Sequence, residues 1–271
     1  MAQERDTRGI VDPAALLTRV RFRRHEPAEA LRPYVENYWF IDWDLPAPYA
    51  SHVLPHPCLH LTFQWDSEDG SEGPPYGELT GVCAPGLYTR KIGGLGRVCG
   101  AKFRPGAFRP LVPDVPVADW TGRVLPYQDV FPRTDERAVV GPDLDDRDRI
   151  AALDAYLLPL LPARPDPQAE LARGLVARIR AERGMRRVAD LARDEGMSVR
   201  SLQRLFAAYV GVSPKWCILR YRIHEAVEAA GSAAAPDWAA LAADLGYADQ
   251  AHLVRDFTAT VGVPPTAYPT P

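Results

Sequence analysis

Leu191-Ala-Arg-Asp-Glu-Gly-Met-Ser-Val-Arg-Ser-Leu-Gln-Arg-Leu-Phe206 returns fifty positions later as Leu241-Ala-Ala-Asp-Leu-Gly-Tyr-Ala-Asp-Gln-Ala-His-Leu-Val-Arg-Asp-Phe257. Leu191-Ala192, Asp194 and Gly196 become Leu241-Ala242, Asp244 and Gly246. After one inserted residue, Leu202, Arg204 and Phe206 become Leu253, Arg255 and Phe257. The copies also stop alike, Val210-Gly211-Val212 and Pro214 matching Val261-Gly262-Val263 and Pro265. Each copy reads as a short helix, a glycine turn, a second helix and a glycine-proline stop, which is the helix-turn-helix plan. The glycine permits the left-handed backbone of the turn. Leu202 and Phe206, four apart, share one helix face and anchor the second helix to its own core.

Working outward, the helical period covers the carboxy-terminal third. Asp166 caps a helix with Pro167 at its first position, and Leu171, Leu175 and Ile179 recur along it until Gly184. A second helix runs from about Arg187 to Glu195 and ends at Gly196. Ser198 caps a third, which Gly211 closes. Ser213-Pro214 opens a longer one reaching Ala230. The stretch Gly231-Ser-Ala-Ala-Ala-Pro236 reads as a linker. Asp237 caps a fifth helix, ended by Gly246; Asp249 caps a sixth, stopped by Gly262-Val-Pro-Pro265.

Away from the Leu/Phe face, Arg200, Gln203 and Arg204 point outward in the first copy, and Gln250, His252 and Arg255 in the second. Arg pairs bidentately with guanine and Gln with adenine, so these types suit the reading of base edges. The alternative is an ordinary α-hairpin repeat with a polar surface. The formal net charge of −3 hides a strong asymmetry. Between Arg173 and Arg222 twelve Arg or Lys face four acids, whereas from Ile223 onward Arg255 alone faces six. A local cationic excess is the footprint of a polyanion partner, or else a solvated Arg-rich face. A connecting helix of roughly 25 Å, at 1.5 Å per residue, would set the two reading helices near one duplex turn, about 34 Å, apart.

Upstream the texture changes. Pro159-Leu-Leu-Pro-Ala-Arg-Pro-Asp-Pro167 carries four prolines, through which neither helix nor strand can run. Before it lie short aromatic and β-branched runs: Tyr38 to Trp43, Cys58 to Trp65, Glu78 to Val82 and Val98 to Phe103. Asp69-Gly70, Gly73-Pro74-Pro75 and Gly93-Gly94 punctuate them as turns. A helical tail follows around Arg147 to Leu158. The expected division is a β-rich region over 1–160, a proline-rich linker over 161–167 and an all-helical region over 168–271. The fold class is α+β multidomain. It combines a β-rich sandwich or barrel carrying a few helices with two helix-turn-helix units joined by a long helix.

From about Gln168 to the end, the chain resembles the DNA-binding domain of the AraC/XylS family of bacterial transcriptional regulators. The two quoted repeats carry the likeness, with Val210-Gly-Val-Ser-Pro214 and Val261-Gly-Val-Pro-Pro-Thr-Ala-Tyr268. The resemblance gives Arg200, Gln203 and Arg204 the base-contacting places of the first reading helix, and Gln250, Ala251, His252 and Arg255 those of the second. Two departures stand out. Leu253 sits where the family often has Phe, and the second half is acidic, which repels phosphate. The first half is therefore expected to supply most of the affinity. Residues from Pro27 to about Phe131 resemble the cupin-like amino-terminal domains of some members, through Leu31-Arg-Pro-Tyr-Val-Glu-Asn-Tyr-Trp39, Val53-Leu-Pro55 and Gly100-Ala-Lys-Phe-Arg-Pro-Gly-Ala107. That likeness implies a sensor or dimerisation module.

Within this region His56, Cys58 and His60 alternate, which on a strand places all three on one face, opposite Leu59, Leu61, Phe63 and Trp65. Imidazole and thiolate suit zinc or copper, making these three candidate metal ligands, with His52 or Cys83 completing the set. A strand carries them about 13 Å along, too far for one ion without a bend, for which Pro57 provides. The alternative is a polar strand face lining a pocket. Trp39, Trp43 and Trp65 are candidates for a pocket floor or for core. Cys83 and Cys99 read as thiol sensors or, with Arg97 the one cation beside them, as small buried hydrophobes.

Composition narrows the function classes. With 46% apolar and 25% charged residues over 271 positions the chain is globular, and no apolar run reaches the ~18–20 residues of a bilayer span. The start, Met1 to Asp6, lacks a secretory apolar segment, and four cysteines make no disulfide scaffold, so reduced thiols in the cytoplasm are expected. Phosphate-loop, nucleophile-elbow and His-Glu-x-x-His motifs are missing, which argues against an enzyme. The leading expectation is an effector-responsive transcriptional regulator, with a cupin-type metal enzyme and a helical adaptor as alternatives. Its implied partners are double-stranded DNA, a small-molecule effector of unknown identity, RNA polymerase and a second copy of the chain. No membrane is implied, and DNA binding requires no cofactor.

Overall fold

A computed structural model describes residues 9–68, 71–182, 184–231 and 236–268. The amino-terminal start, the Asp69-Gly70 turn and Ser232–Ala235 of the expected linker lie outside them. A short helix α1 (Pro13–Leu17) precedes an antiparallel sheet of β1 (Val20–His25), β2 (Val35–Val53), β3 (His60–Glu68), β4 (Ser71–Glu72), β5 (Tyr76–Thr80), β6 (Tyr88–Phe103) and β7 (Val124–Pro126). The order is β1-β2-β6-β3-β5-β7, with β4 on β3. Helices α2 (Arg137–Val140) and α3 (Asp146–Leu157) follow.

The long strands β2 and β6 shape this region. Pro46 and Pro48 cannot donate ladder hydrogen bonds, and pairing breaks between Leu45 and Tyr49. On the facing strand Gly94 takes φ +59°. Gly93-Gly94 is thus a bend inside one strand rather than the turn between two that the sequence suggests, because its partner strand continues beside it. The outer half of the β2/β6 pair, Tyr49–Val53 with Tyr88–Ile92, turns over one sheet face. That face becomes the wall of a cavity. The other face buries Tyr38, Phe40, Leu61, Phe63, Leu79, Cys99 and Phe103 against Phe108, Tyr127, Val140, Leu153 and Leu157.

The helical region comprises α4 (Pro167–Ala181), α5 (Val188–Asp194), α6 (Val199–Tyr209), α7 (Pro214–Ala230), α8 (Trp238–Asp244) and α9 (Gln250–Val261). Every N-cap read from the sequence forms. Asp166, Ser198, Ser213, Asp237 and Asp249 each accept from backbone N–H groups of the first turn. Such caps stabilise a helix by about 1 kcal/mol each. Leu202 and Phe206 join the β-region core cluster, whereas Leu253 and Phe257 nucleate a second cluster with Ile223, Val227 and Tyr247.

Side-chain hydrogen bonds between the two regions concentrate on α7. Trp216 Nε1 donates to Ala84 O at 3.1 Å, and Arg220 donates to Gly86 O at 3.1 Å and Ala84 O at 2.9 Å. Arg220 also lies over the Trp216 ring at 4.5 Å. Thr121 Oγ1 donates to Gly211 O at 2.7 Å, and Tyr268 OH to Val11 O at 2.6 Å.

Candidate nucleic-acid interface and effector cavity

The turns of the two repeat copies share their glycine geometry and their closing hydrogen bond. Gly196 and Gly246 take φ +62° and +74°, and Gly211 and Gly262 both take +87°. Met197 N–H donates to Ala192 O, and Tyr247 N–H to Ala242 O, at 2.8 Å in each case. The turn is therefore the same object twice, with the second helix of each unit held by fully buried Leu and Phe. On α6 the opposite face leaves Arg200, Gln203 and Arg204 exposed; on α9 Gln250, Ala251 and Arg255 are exposed. His252 is half-buried, its ring 5.2 Å edge-on from Tyr247 and its Nε2 3.8 Å from Asp256.

Tertiary packing redistributes the charge that the sequence count attributes to one basic face. Arg178 gathers three of the four acids there, reaching Glu182, Asp194 and Glu195 at 2.7, 2.8 and 2.8 Å. Arg193 pairs with the fourth, Asp190, at 3.0 Å. Arg220 and Arg222 turn inward. Arg220 holds the 84–86 backbone, and burial lowers its pKa to about 10; Arg222 donates to Met185 O at 3.0 Å. Arg200 and Arg204 stay outside this network and face solvent.

The cavity in the β-rich region encloses about 200 Å³. Alternation along the strands sorts its wall into rows. Asn37, Lys102 and His60 stand abreast across β2, β6 and β3. Two residues along come Arg24, Trp39, Gly100 and Thr62; next Phe22, Ile41, Val98 and Gln64; then Val20, Trp43, Gly96 and Asp66. Aromatic rings and apolar side chains thus share the wall with the polar Arg24, Thr62 and Gln64 over roughly 20 Å at 3.3 Å per residue. Trp39 and Trp43 lie across the glycines opposite them. A Cβ at Gly100 would sit 2.5 Å from Trp39 Nε1, and one at Gly96 2.6 Å from Trp43 Cε2. These two tryptophans line the cavity, while Trp65 belongs to the core.

His56, Cys58 and His60 do share the cavity wall, but not as a metal set. Residues 54–59 are irregular and β3 begins only at His60, so the regular strand assumed from the alternation does not exist there. Trp39 Nε1 donates to His60 Nδ1 at 3.1 Å, leaving His60 Nε2–H to face Cys58 Sγ at 3.5 Å. Both imidazole nitrogens are thus engaged. His56 instead stacks on His224 of α7, with ring centroids 4.0 Å and planes 12° apart. Among the described residues no three His, Cys, Asp or Glu side chains converge as a metal site. Burial raises the Cys58 and Cys99 thiols to about 12 and pushes Cys83 upward, the reverse of what a thiolate sensor needs. The His56–His224 stack and the inward Arg220 escaped the sequence reading, since each joins positions over a hundred residues apart.

Comparison with known families matches residues 191–270 to a helix-turn-helix domain and residues 23–126 to a domain of unknown function (DUF6597). The carboxy-terminal region accordingly matches a helix-turn-helix domain, the plan that the two repeats spell out. Similar solved structures include ToxT from Vibrio cholerae, 11% identical over 91% of this chain and 96% of that one, with a TM-score of 0.43. ToxT with a bound unsaturated fatty acid is 10% identical over 85% and 93%, with a TM-score of 0.40. A comparison with curated proteins gives no match. Among the described residues no helix is long and apolar enough to cross a membrane.

Proposed function

We propose that this chain, with its AraC-type helix-turn-helix domain, is a sequence-specific transcriptional regulator that reads DNA through α6 and α9 and takes its signal through the cavity of the β-rich region. The carrying observation is the pair of matched turn-and-helix units, each presenting an exposed polar face. Arg200, Gln203 and Arg204 enter one major groove, and Gln250, Ala251, His252 and Arg255 the next. Helix α7, roughly 25 Å long, spaces them toward a duplex turn of about 34 Å. The first unit contributes most of the affinity, because the acids of the second repel phosphate.

Residues 1–160 serve as the sensor, 161–167 as a linker and 168–271 as the DNA-binding region. His56 supports a coupling between them: it belongs to the cavity wall and stacks on the helix that spaces the two readers. A ligand that prefers one setting of that wall biases α7 by its differential affinity. This is the action of a regulator rather than an enzyme, working in the cytoplasm with RNA polymerase and a second copy of the chain as protein partners.

The test is selection of bound sequences from random double-stranded DNA by the full chain, followed by affinity against salt. An enriched motif is expected, with affinity falling steeply between 50 and 200 mM salt as Arg–phosphate contacts release counterions. Absence of any DNA affinity at low salt would favour the helical adaptor and refute the proposal.

A further inference from the structure

We infer that Arg222 of α7 is a positioning residue for DNA reading, which ties the entry of the first helix-turn-helix unit to the turn of the second and so fixes the half-site spacing that the chain accepts. The inference rests on the reading of α6 and α9 as the helices that enter the grooves, and adds the residue that holds them in register.

Three observations carry it. First, the two units do not share a core. Leu202 and Phe206 of α6 belong to one cluster with Met185, whereas Leu253 and Phe257 of α9 belong to another with Tyr247. The packing of one unit therefore leaves the setting of the other open. Second, Arg222 spans the two clusters. It is buried, its Nη2 donates to Met185 O at 3.0 Å just before α5, and its guanidinium lies 5.5 Å from the centroid of the Tyr247 ring, between α8 and α9. Burying a cation is costly unless partners replace its water. Here the carbonyl comes from the first unit and the ring from the second, so drawing the units apart would strand the charge. The ring in turn meets a reading residue, His252 of α9, edge-on at 5.2 Å. Third, the two turns differ in their surroundings although the repeat makes them alike. A Cβ at Gly196 of the first turn would meet nothing within 4 Å, whereas one at Gly246 of the second would sit 2.7 Å from Arg186 Nε and 2.9 Å from Arg186 Cγ. Arg186 thus covers the second turn directly, one residue from the carbonyl that Arg222 holds. Two neighbouring contacts, 185 with 247 through Arg222 and 186 with 246, fix a rotation as well as a distance.

The experiment measures the joint and its consequence on the full chain. Spin labels at Ala207→Cys on α6 and Ala259→Cys on α9, both exposed, report the distance between the reading helices without DNA. Cys83→Ser supplies the background, the other three cysteines being buried. One narrow distance is expected with Arg222 present and a broader distribution for Arg222→Met. In parallel, unlabelled protein is titrated with the operator selected from random DNA and with versions carrying one base pair more or fewer between the half-sites, a change of about 3.4 Å and about 35°. The unaltered chain should lose at least about tenfold on the changed spacings, the worth of one bidentate base contact. For Arg222→Met the preference should collapse: the native spacing weakens, while the changed spacings stay within about twofold of their original affinity, the scatter of independent changes. A merely structural loss would lower all three alike and keep the ratio. Tyr247→Leu removes the ring, leaves the bond to Met185 in place and should shift both readings in the same direction, which keeps the test decisive if Arg222→Met does not fold. An unchanged distance distribution, or an unchanged spacing ratio on bound DNA, overturns the inference. Absence of DNA binding by the unaltered chain refutes the regulator instead, and the labels then decide by themselves whether Arg222 holds the two helices.

Discussion

Replacing Gly100 by Ala should cost this protein far more than a methyl group normally does. The added Cβ would lie 2.5 Å from Trp39 Nε1 and closer still to the ring carbons. Carbon contacts are favourable only near 3.5–4.0 Å, so the indole must move by roughly 1 Å or more. It cannot do so freely, because Trp39 Nε1 donates to Nδ1 of the half-buried His60 at 3.1 Å. Overpacking of this kind costs about 1–3 kcal/mol, and an unpaired buried ring nitrogen a further ~1–3 kcal/mol. The expected loss is about 2–5 kcal/mol, with Trp39 displaced into the cavity. Gly174→Ala supplies the contrast. It lies inside α4, and a Cβ there meets nothing within 4 Å, so alanine should stabilise by about 0.5–1 kcal/mol. Urea unfolding followed by tryptophan fluorescence measures both. If Gly100→Ala unfolds within 0.5 kcal/mol of wild type, a tolerance well inside the overpacking range, the account of the tryptophan floor is wrong.

Three other outcomes follow from the same geometry. Arg204→Ala should weaken specific DNA binding by about 1–3 kcal/mol and Arg255→Ala by less, as read by electrophoretic shift; the reverse ranking would show that the acidic half dominates. Asp249→Ala removes the bond to His252 N–H at 2.7 Å and should destabilise α9 by about 1 kcal/mol, seen as faster amide exchange in 250–253. Acid should destabilise the fold before carboxylates titrate. Burial holds His60 and His224 neutral, lowering both from 6.5 to about 3, so the unfolded chain binds protons that the native one refuses. Stability is complete above pH 6.5 and declines below it, by ~2 kcal/mol per histidine at pH 5; a urea midpoint unchanged between pH 7.5 and 5 would contradict this.

Much of the helical region was legible in the linear order, because its signals are local. An Asp or Ser cap, a glycine forced to positive φ and a Leu/Phe pair four apart act within one or two turns, and the duplication states each twice. The alternation of Leu61, Phe63 and Trp65 likewise marked the core face of β3 correctly. The signals that misled were local as well. Gly93-Gly94 has turn composition, yet a partner strand running past it made it a bend. His56, Cys58 and His60 alternate, yet the strand starts only at the last of them.

What the sequence determined by itself is therefore the nature of the carboxy-terminal half: two capped, glycine-turned helix pairs with Arg and Gln on the outer face. Short-range hydrogen bonding and the 3.6-residue period suffice to specify them. Tertiary structure alone decided which arginines remain outside, since Arg220 and Arg222 carry the same charge as Arg204 but find carbonyls of distant segments. It also decided that Trp39 and Trp43 would floor a cavity while Trp65 fills the core. Strand register sets a tryptophan opposite a glycine, and register arises from pairing between segments some sixty residues apart.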